Sequence, residues 1–390
     1  MSWSLLTQSK VAAKPGIAFC EQDIDFCQAL SQSIMGDIAC RDYPDLIALG
    51  FWLRRSNILE VLAPYKASVF VYKPLGRVFH AAPANVDSLF VYSGVLSLLC
   101  GNTNVIRLSR RSHGSSDILI KKLNSLANEY PEQLTRFQLV QCDYDSPELS
   151  EFIANIDARV LWGSDNAIQA LRRYVMPARA REFCFNHKYS MALLDADAVN
   201  KASISDFSTL LQLFCRDNLT FSQQACSSAK TLLWFGNPDA VERAQQRFWS
   251  GLMQWLSEKS ILNPSEQYQA LATSQWLAIN DTSIERLYLQ SPIIRLSCNK
   301  LTSEQVAQHT GCGVFMEMTI NSLAELNSML LPDIQTLTHW GLDGELLRSW
   351  FSTQLTGIDR LVPLGKALSF AAVWDGVDLI DSFSRKILVD

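Results

Sequence analysis

The chain has 390 residues, 48% of them hydrophobic, and 34 basic against 39 acidic side chains leave a formal net charge of −5. That length can bury large cores and predicts more than one lobe, while the lack of a basic excess or a long single-sign run leaves no electrostatic footprint for DNA or RNA. The ten cysteines are scattered, without a Cys-x-x-Cys pair or a neighbouring His at ligand spacing, which argues against a disulfide framework and a zinc site.

Met1-Ser2-Trp3-Ser4-Leu5-Leu6 is too short an apolar patch for a secretory signal, and no twin-arginine pattern follows it, so a reducing cytoplasm is the expected location. Residues 1–65 read as helical, with Phe26, Ala29, Leu30 and Ile34 and then Leu46, Leu49, Trp52 and Leu53 at one-face spacing. After Pro64, two β-branched and aromatic runs are split by Pro74-Leu75-Gly76 and predict strands. The first of them, Val69-Phe70-Val71-Tyr72, reads as one arm of a hairpin. From there strands at 76–80, 104–108, 137–141 and 158–162 alternate with helices at 88–100, 115–128, 147–154 and 166–174. Such βαβ alternation predicts an α/β fold with a doubly wound parallel sheet and ligands at the carboxyl ends of the strands. The longest apolar stretch, 89–100, falls short of the ~20 residues needed to span a bilayer, so no membrane span is expected. A second α/β unit begins near Ser205 with a helix that leads to Cys226, then an apolar strand at 231–235 and a helix at 239–256. The implied division is a helical region 1–65, a first α/β domain 66–200, a second α/β domain 201–350 and a C-terminal segment 351–390.

Three loops in the first α/β unit share one design, in which a strand ends in small and polar residues and a helix starts. They are Ala81-Ala82-Pro83-Ala84-Asn85-Val86-Asp87, Arg107-Leu108-Ser109-Arg110-Arg111-Ser112 and Trp162-Gly163-Ser164-Asp165. Free backbone N–H groups and the positive end of a helix suit such loops to anions and nucleotides, although each alone also reads as an ordinary helix cap. In the second unit, Cys226 lies in Phe221-Ser222-Gln223-Gln224-Ala225-Cys226-Ser227-Ser228-Ala229-Lys230. Its small, polar neighbours leave room for a substrate, and a thiolate is a nucleophile that needs no strong base. The competing reading is a buried packing cysteine.

The run from Gly76 through His80 to Asn85 and Val86, followed by Leu98-Leu99-Cys100-Gly101-Asn102-Thr103-Asn104-Val105-Ile106-Arg107-Leu108-Ser109, resembles the signature of the LuxC-type acyl-CoA reductases, within the aldehyde dehydrogenase superfamily. The runs Gly357-Ile358-Asp359-Arg360-Leu361-Val362-Pro363-Leu364-Gly365-Lys366 and Val373-Trp374-Asp375-Gly376-Val377-Asp378-Leu379-Ile380 are also similar to that family. The resemblance spans residues 70–390 and implies an aldehyde dehydrogenase-like fold, in which 66–200 is a doubly wound cofactor-binding domain, 201–350 a second α/β catalytic domain and 351–390 a segment that returns across the interface.

It further implies that Cys226 is the nucleophile, with Gln224 two positions before it, and that the Asn85 amide and the Cys226 N–H form an oxyanion hole. Arg107 and Ser109 match the cofactor-ribose position, and Gly163 and Ser164 match a helix start facing the pyrophosphate. An arginine cluster of 107, 110 and 111 would suit a 2′-phosphate, which favours NADPH; a solvated positive surface is the alternative. No residue of 181–188 aligns with the water-activating glutamate of aldehyde-oxidising relatives. His187 stands there as a candidate proton donor or as a structural histidine. The glutamate that holds the nicotinamide ribose in relatives is missing too, and Glu317 is out of register.

The expected activity is reduction of an acyl thioester, acyl-CoA or a protein-delivered acyl group, to the aldehyde. An acyl-activating synthetase and further copies of the chain are the expected partners. Two alternatives are a non-catalytic acyl carrier or scaffold and a CoA-acylating aldehyde dehydrogenase. Phe214, Trp234, Phe248 and Trp255 read first as core and second as the lining of an acyl tunnel.

Overall fold

The computed structural model describes residues 3–7, 14–82, 88–109, 114–257, 262–354 and 356–389. The chain divides into two compact units, one of residues 1–187 with 370–390 and the other of residues 188–369. No helix among the described residues is long and apolar enough to cross a membrane.

The first unit is built on a six-stranded sheet of β1 (Ser4–Leu5), β3 (Arg77–Ala81), β4 (Thr103–Arg107), β5 (Phe137–Gln141), β6 (Ala158–Trp162) and β7 (Arg181–Phe185); β2 (Val71–Pro74) lies outside it. The order is β1-β5-β4-β3-β6-β7, and all neighbours are parallel except β1 with β5. Chain order runs one way from β3 to β5 and then jumps back across β3 to β6. That places the topological switch point, where doubly wound sheets collect ligands, at the carboxyl ends of β3 and β6. The helix Leu89–Leu99 is buried on every side, and a Cβ on its Gly94 would come within 2.5 Å of Ile106 and 2.6 Å of Phe137. Only glycine lets this helix lie so close to the sheet.

The N-terminal helices Glu21–Met35, Pro44–Trp52 and Arg55–Lys66 belong to the same core, where Phe26, Leu30 and Leu49 join Phe90 and Leu96. A buried ion pair of Arg136 with Asp23 fastens the first of them. Residues 370–390 return to this unit: Phe370 stacks on Tyr92 at 5.0 Å, and the strand Ser384–Ile387 pairs antiparallel with β2. The run at 69–72 therefore does not form a hairpin with the strand that follows. Both edges of β3 are taken by β4 and β6, so β2 finds its partner at the far end of the chain.

The second unit is a seven-stranded sheet of β8 (Tyr189–Asp195), β9 (Ala229–Phe235), β10 (Ile284–Gln290), β11 (Ile293–Cys298), β12 (Val314–Ile320), β13 (Ile334–Trp340) and β14 (Arg360–Pro363). Its order is β10-β11-β12-β9-β8-β13-β14, parallel except for the edge pair β10 and β11. Apolar cores cover both faces: Met191, Leu193 and Leu233 point to one, and Leu194, Leu232 and Trp234 to the other. This alternation is the period-2 pattern of a strand buried on both sides.

Candidate functional site

The helix Ile204–Leu219 delivers the chain into a turn where Ser222 and Gln223 have φ of 49° and 61°. Neither is glycine, so each left-handed residue costs of order 1 kcal/mol and must be held by its surroundings. Gln223 does much of the holding. It is fully buried, its Nε2 donates to the Ala229 and Val314 carbonyls at 2.8 and 2.9 Å, and its Oε1 accepts the Gly313 N–H at 2.9 Å. Gln224 donates to the Thr310 carbonyl at 2.5 Å and lies 3.2 Å from Cys312 Sγ. Downstream, Ser228 Oγ donates to the Asp217 carbonyl at 2.7 Å, and the Ala229 N–H donates to Asn218 Oδ1 at 2.7 Å. Ser190 Oγ donates to the Cys226 carbonyl at 2.7 Å and accepts the Thr336 N–H at 3.2 Å. Cys226 is thus fixed from both sides and remains partly exposed. Its N–H meets no acceptor among the described residues, which leaves that donor available to an oxyanion.

These contacts converge on the amino ends of β8, β9, β12 and β13. The carboxyl-edge rule for parallel sheets therefore describes the loops of the first unit but not the place of Cys226. At this amino edge Lys230 is 3% exposed, without a carboxylate or hydrogen-bond acceptor among the described residues. Ala229 faces Ser190 and Thr231 faces Met191 across the β8–β9 ladder, so Lys230 is the extra residue of a bulge. Its Nζ lies 5.8 Å from the centre of the Tyr189 ring, whose hydroxyl bonds Thr231 Oγ1 at 2.7 Å. Burial holds the Lys230 ammonium below the usual lysine range, and negative charge on Cys226 opposes that shift.

In the first unit, Arg107 ends β4 and Gly163 and Ser164 follow β6, so all three lie at the carboxyl edge of the sheet with β3 between them. Arg107 is 7% exposed; its Nε donates to the Cys142 carbonyl at 3.0 Å and its guanidinium lies 4.0 Å above the Tyr144 ring. The guanidinium is thus held at Nε and by the ring, and it also faces the Cys142 thiol, where it opposes the rise in pKa that burial causes. Ser109 follows on the same loop, partly exposed. Gly163 has φ of 149°, a conformation that favours glycine. Ser164 caps the helix Asp165–Arg172 through a 3.4 Å bond from the Ala167 N–H. The ordinary cap role is therefore present at Ser164. A glycine without a side chain before a helix start fits close approach of a phosphate group, and a fixed guanidinium fits a phosphate or ribose. Asn85, Arg110 and Arg111 lie outside the described residues.

Other residues that stand out in the sequence have structural work. His80 is fully buried between Ser93 Oγ at 2.9 Å and Asn104 Oδ1 at 3.0 Å, and burial pushes its pKa down to about 4. Glu317 accepts the indole N–H groups of Trp234 and Trp249 at 2.9 and 2.7 Å and pairs with Arg295 at 3.2 Å, so its carboxylate is committed inside its own core. Phe214, Trp234 and Phe248 are fully buried and edge-packed at 5.0 and 5.6 Å, which makes them core rather than a tunnel lining. His187 is exposed. In the C-terminal run, Arg360 donates to the carbonyls of Lys366, Ala367 and Ser369, Asp359 pairs with Lys188 at 3.4 Å, and the Gly365 N–H donates to Asp217 at 2.5 Å. Gln223, Ser190 and Lys230 are the site residues that sequence reasoning passed over. Lys230 alone left a trace there, as a charge heading an apolar strand.

The acyl-CoA reductase (LuxC) family model matches residues 49–270, more than half of the chain. No curated protein sequence matches it. Among solved structures, the chain is similar to lactaldehyde dehydrogenase from Escherichia coli, with a TM-score of 0.65 at 13% identity over 94% of this chain and 85% of that one. It is similar to an NAD-dependent aldehyde dehydrogenase from Sinorhizobium meliloti, with a TM-score of 0.63 at 12% identity over 94% and 81%. An indole-3-acetaldehyde dehydrogenase in complex with NAD+ gives a TM-score of 0.68 at 13% identity over 94% and 82%. The fold is that of the aldehyde dehydrogenases.

Proposed function

The chain belongs to the acyl-CoA reductase (LuxC) family, and from that premise we propose that it reduces an acyl thioester to the aldehyde with NADPH, through an acyl group carried on Cys226. The observation that carries this reading is the Cys226 turn: a partly exposed thiol on a strained, side-chain-pinned loop with an uncommitted backbone N–H. Residues spent on such strain belong with function more often than with packing.

In this mechanism Cys226 Sγ attacks the thioester carbonyl, and the Cys226 N–H, with the Asn85 amide that the family resemblance implies, takes the developing oxyanion. One such donor is worth about 3 kcal/mol of barrier. Collapse expels the donor thiol and leaves acyl-Cys226. NADPH, when bound, supplies the hydride that turns this thioester into a thiohemiacetal. Arg107 and Ser109 would hold its ribose end and Gly163 and Ser164 its pyrophosphate. Cys226 then leaves as thiolate and the aldehyde is released. The one carboxylate in 181–188, Glu182, is paired with Arg159 and Arg172, which suits this route, since hydrolysis of the acyl-enzyme would compete with reduction.

The proposal extends to surroundings. A cytoplasmic location and an acyl-activating synthetase as donor belong to the same reading, and for a homo-oligomer the exposed Val69, Val71, Leu388 and Val389 beside the paired strands β2 and 384–387 offer an apolar surface. A fatty acyl chain is the proposed substrate.

Intact-protein mass spectrometry of wild type and Cys226→Ala after incubation with acyl-CoAs of graded length, without and then with NADPH, tests the reading. An adduct on wild type alone that NADPH discharges as aldehyde is the expected result. An adduct that persists with NADPH would replace reduction with acyl carriage, and an adduct retained by Cys226→Ala would remove Cys226 from the nucleophile's role.

A further inference from the structure

We propose that Tyr144 sets the preference for a 2′-phosphorylated nicotinamide cofactor: its ring holds Arg107 in position to receive the 2′-phosphate, and Arg173 and Tyr174 hold the ring. The inference rests on the NADPH reading above and names the positioning residues that would enforce it.

Arg107 is the last residue of β4, paired with Val140 of β5, and its side chain reaches to the segment that follows β5. There Nε donates to the Cys142 carbonyl at 3.0 Å, and Cζ lies 4.0 Å from the centre of the Tyr144 ring. The Cys142 thiol is the third neighbour, and burial pushes its pKa up, so it stays protonated at neutral pH. A carbonyl, a ring and a neutral thiol carry no charge. Among the described residues no carboxylate forms an ion pair with Arg107, although it is only 7% exposed. An arginine so buried is ordinarily paired with an anion, and here the anion is left to a ligand. The acids that act on the Cys142 thiol are Asp143 and Glu148, and Glu148 accepts the Ser146 hydroxyl at 2.7 Å.

The arrangement suits a phosphate. The ring covers a flat face of the guanidinium and the Cys142 carbonyl takes Nε, whereas a phosphate is bound through N–H groups in the guanidinium plane. The stack therefore fixes that plane without competing for those donors. An unsupported arginine loses the freedom of a long side chain when its ligand arrives, and a stacked one has already lost it.

Tyr144 can give this support only if its own backbone is fixed. Its carbonyl accepts from Arg173 Nη2 at 2.6 Å and from the Tyr174 hydroxyl, and Arg173 Nη2 also donates to that hydroxyl at 3.1 Å. Arg173 and Tyr174 directly follow the helix Asp165–Arg172, whose cap is Ser164. The proposed pyrophosphate contact thus lies at the start of that helix and the anchor of Tyr144 just past its end, so two cofactor contacts share one support. Tyr144 also packs against the core of Val140, Leu149 and Leu171. An apolar side chain without a ring could fill that second role, and the two roles are separable by experiment.

The test is isothermal titration calorimetry of adenosine 2′,5′-bisphosphate and of AMP, which differ only in the 2′-phosphate, against wild type, Tyr144→Phe and Tyr144→Leu. Wild type should bind the bisphosphate roughly tenfold or more tighter than AMP. Tyr144→Leu should lose at least about fivefold of that ratio, and Tyr144→Phe, which keeps the ring, should retain it. The ratio is the readout because a loosened fold weakens both ligands together. An unchanged ratio in Tyr144→Leu would overturn the role of Tyr144. Should Tyr144→Leu fail to melt cooperatively, Tyr144→Met, whose flexible chain fills the same space, takes its place under the same two outcomes. The double variant Arg173→Met with Tyr174→Phe removes both donors from the Tyr144 carbonyl and should lower the ratio in the same direction; a wild-type ratio there would strike the clamp from the proposal. Wild type that binds both nucleotides equally would sink the NADPH reading itself, whereas a selective wild type beside an equally selective Tyr144→Leu would sink only the part given to Tyr144.

Discussion

Gln223 accepts a hydrogen bond from the Gly313 N–H at 2.9 Å, and through it the turn that carries Cys226 is fastened to the loop before β12. The same carboxamide donates to Ala229 and Val314, so one side chain satisfies a buried donor and two buried acceptors. Gln223→Ala leaves these groups unpaired and should cost about 3 kcal/mol of stability. Gln223→Glu should cost more, because a carboxylate can accept from Gly313 but turns its charge on two carbonyls. Chemical denaturation of both variants checks the order, and acyl loading of Cys226 in Gln223→Ala should slow at least as much as in a variant equally destabilised elsewhere. Loading at the wild-type rate would show that the turn's rigidity has no part in reactivity.

The sequence made the βαβ alternation of the first unit readable because each strand there is a short apolar run followed by a helix of matching period. It concealed what depends on distant pairing. The strands Arg181–Phe185 and Tyr189–Asp195 follow each other closely yet enter different sheets, so no local pattern separates them. Val71–Pro74 pairs with a strand more than 300 residues away. Gln223 sits in the polar run Ser222-Gln223-Gln224, which reads as exposed, and only the fold reveals that its amide replaces three missing backbone partners. What makes Cys226 a candidate, its small and polar neighbours, was legible. Lys230 was not, because a bulge has no signature in one sequence and a charged residue reads as the end of an apolar strand.

Arg107 stacks on Tyr144 with its Nε already bonded, so its Nη end is pre-aligned. If that end meets the 2′-phosphate of NADPH, Arg107→Leu should raise KM for NADPH by roughly tenfold to a hundredfold while changing KM for NADH little. Arg107→Lys should recover only part of the loss, since an ammonium neither stacks nor forks. Steady-state kinetics with both cofactors decide it, and equal losses for NADPH and NADH would assign Arg107 to the shape of the loop instead.

Gly94→Ala tests the closeness of helix and sheet in the first unit. The added methyl would meet Ile106 and Phe137 at 2.5 and 2.6 Å, and overpacking of this kind costs about 1–3 kcal/mol. A lower urea midpoint is expected, and an unchanged one would mean that the helix can shift without loss.

His80 and Asp217 give pH dependences of opposite sign. His80 is held neutral, with a pKa of about 4 against a reference of 6.5, so the unfolded chain binds the proton first. Its contribution is present above pH 6.5 and lost as pH falls through about 4, a difference of roughly 3 kcal/mol. Asp217 is raised by burial to about 6, with the Gly365 and Ala367 N–H groups and Arg216 and Arg360 opposing the shift. Here the folded state favours the protonated form, so the contribution is full below about pH 4 and disappears as pH rises through 6. Asp217→Asn keeps an oxygen for the Gly365 N–H and removes the charge. Its Tm should exceed that of wild type at pH 7.5 and match it near pH 4, whereas His80→Gln should be less stable than wild type at pH 7.5 and approach it near pH 4. Thermal melts of the three proteins across that range separate the two groups. An Asp217→Asn variant less stable than wild type at pH 7.5 would mean that the charge itself, facing Arg216 and Arg360, holds the Gly365 loop in place.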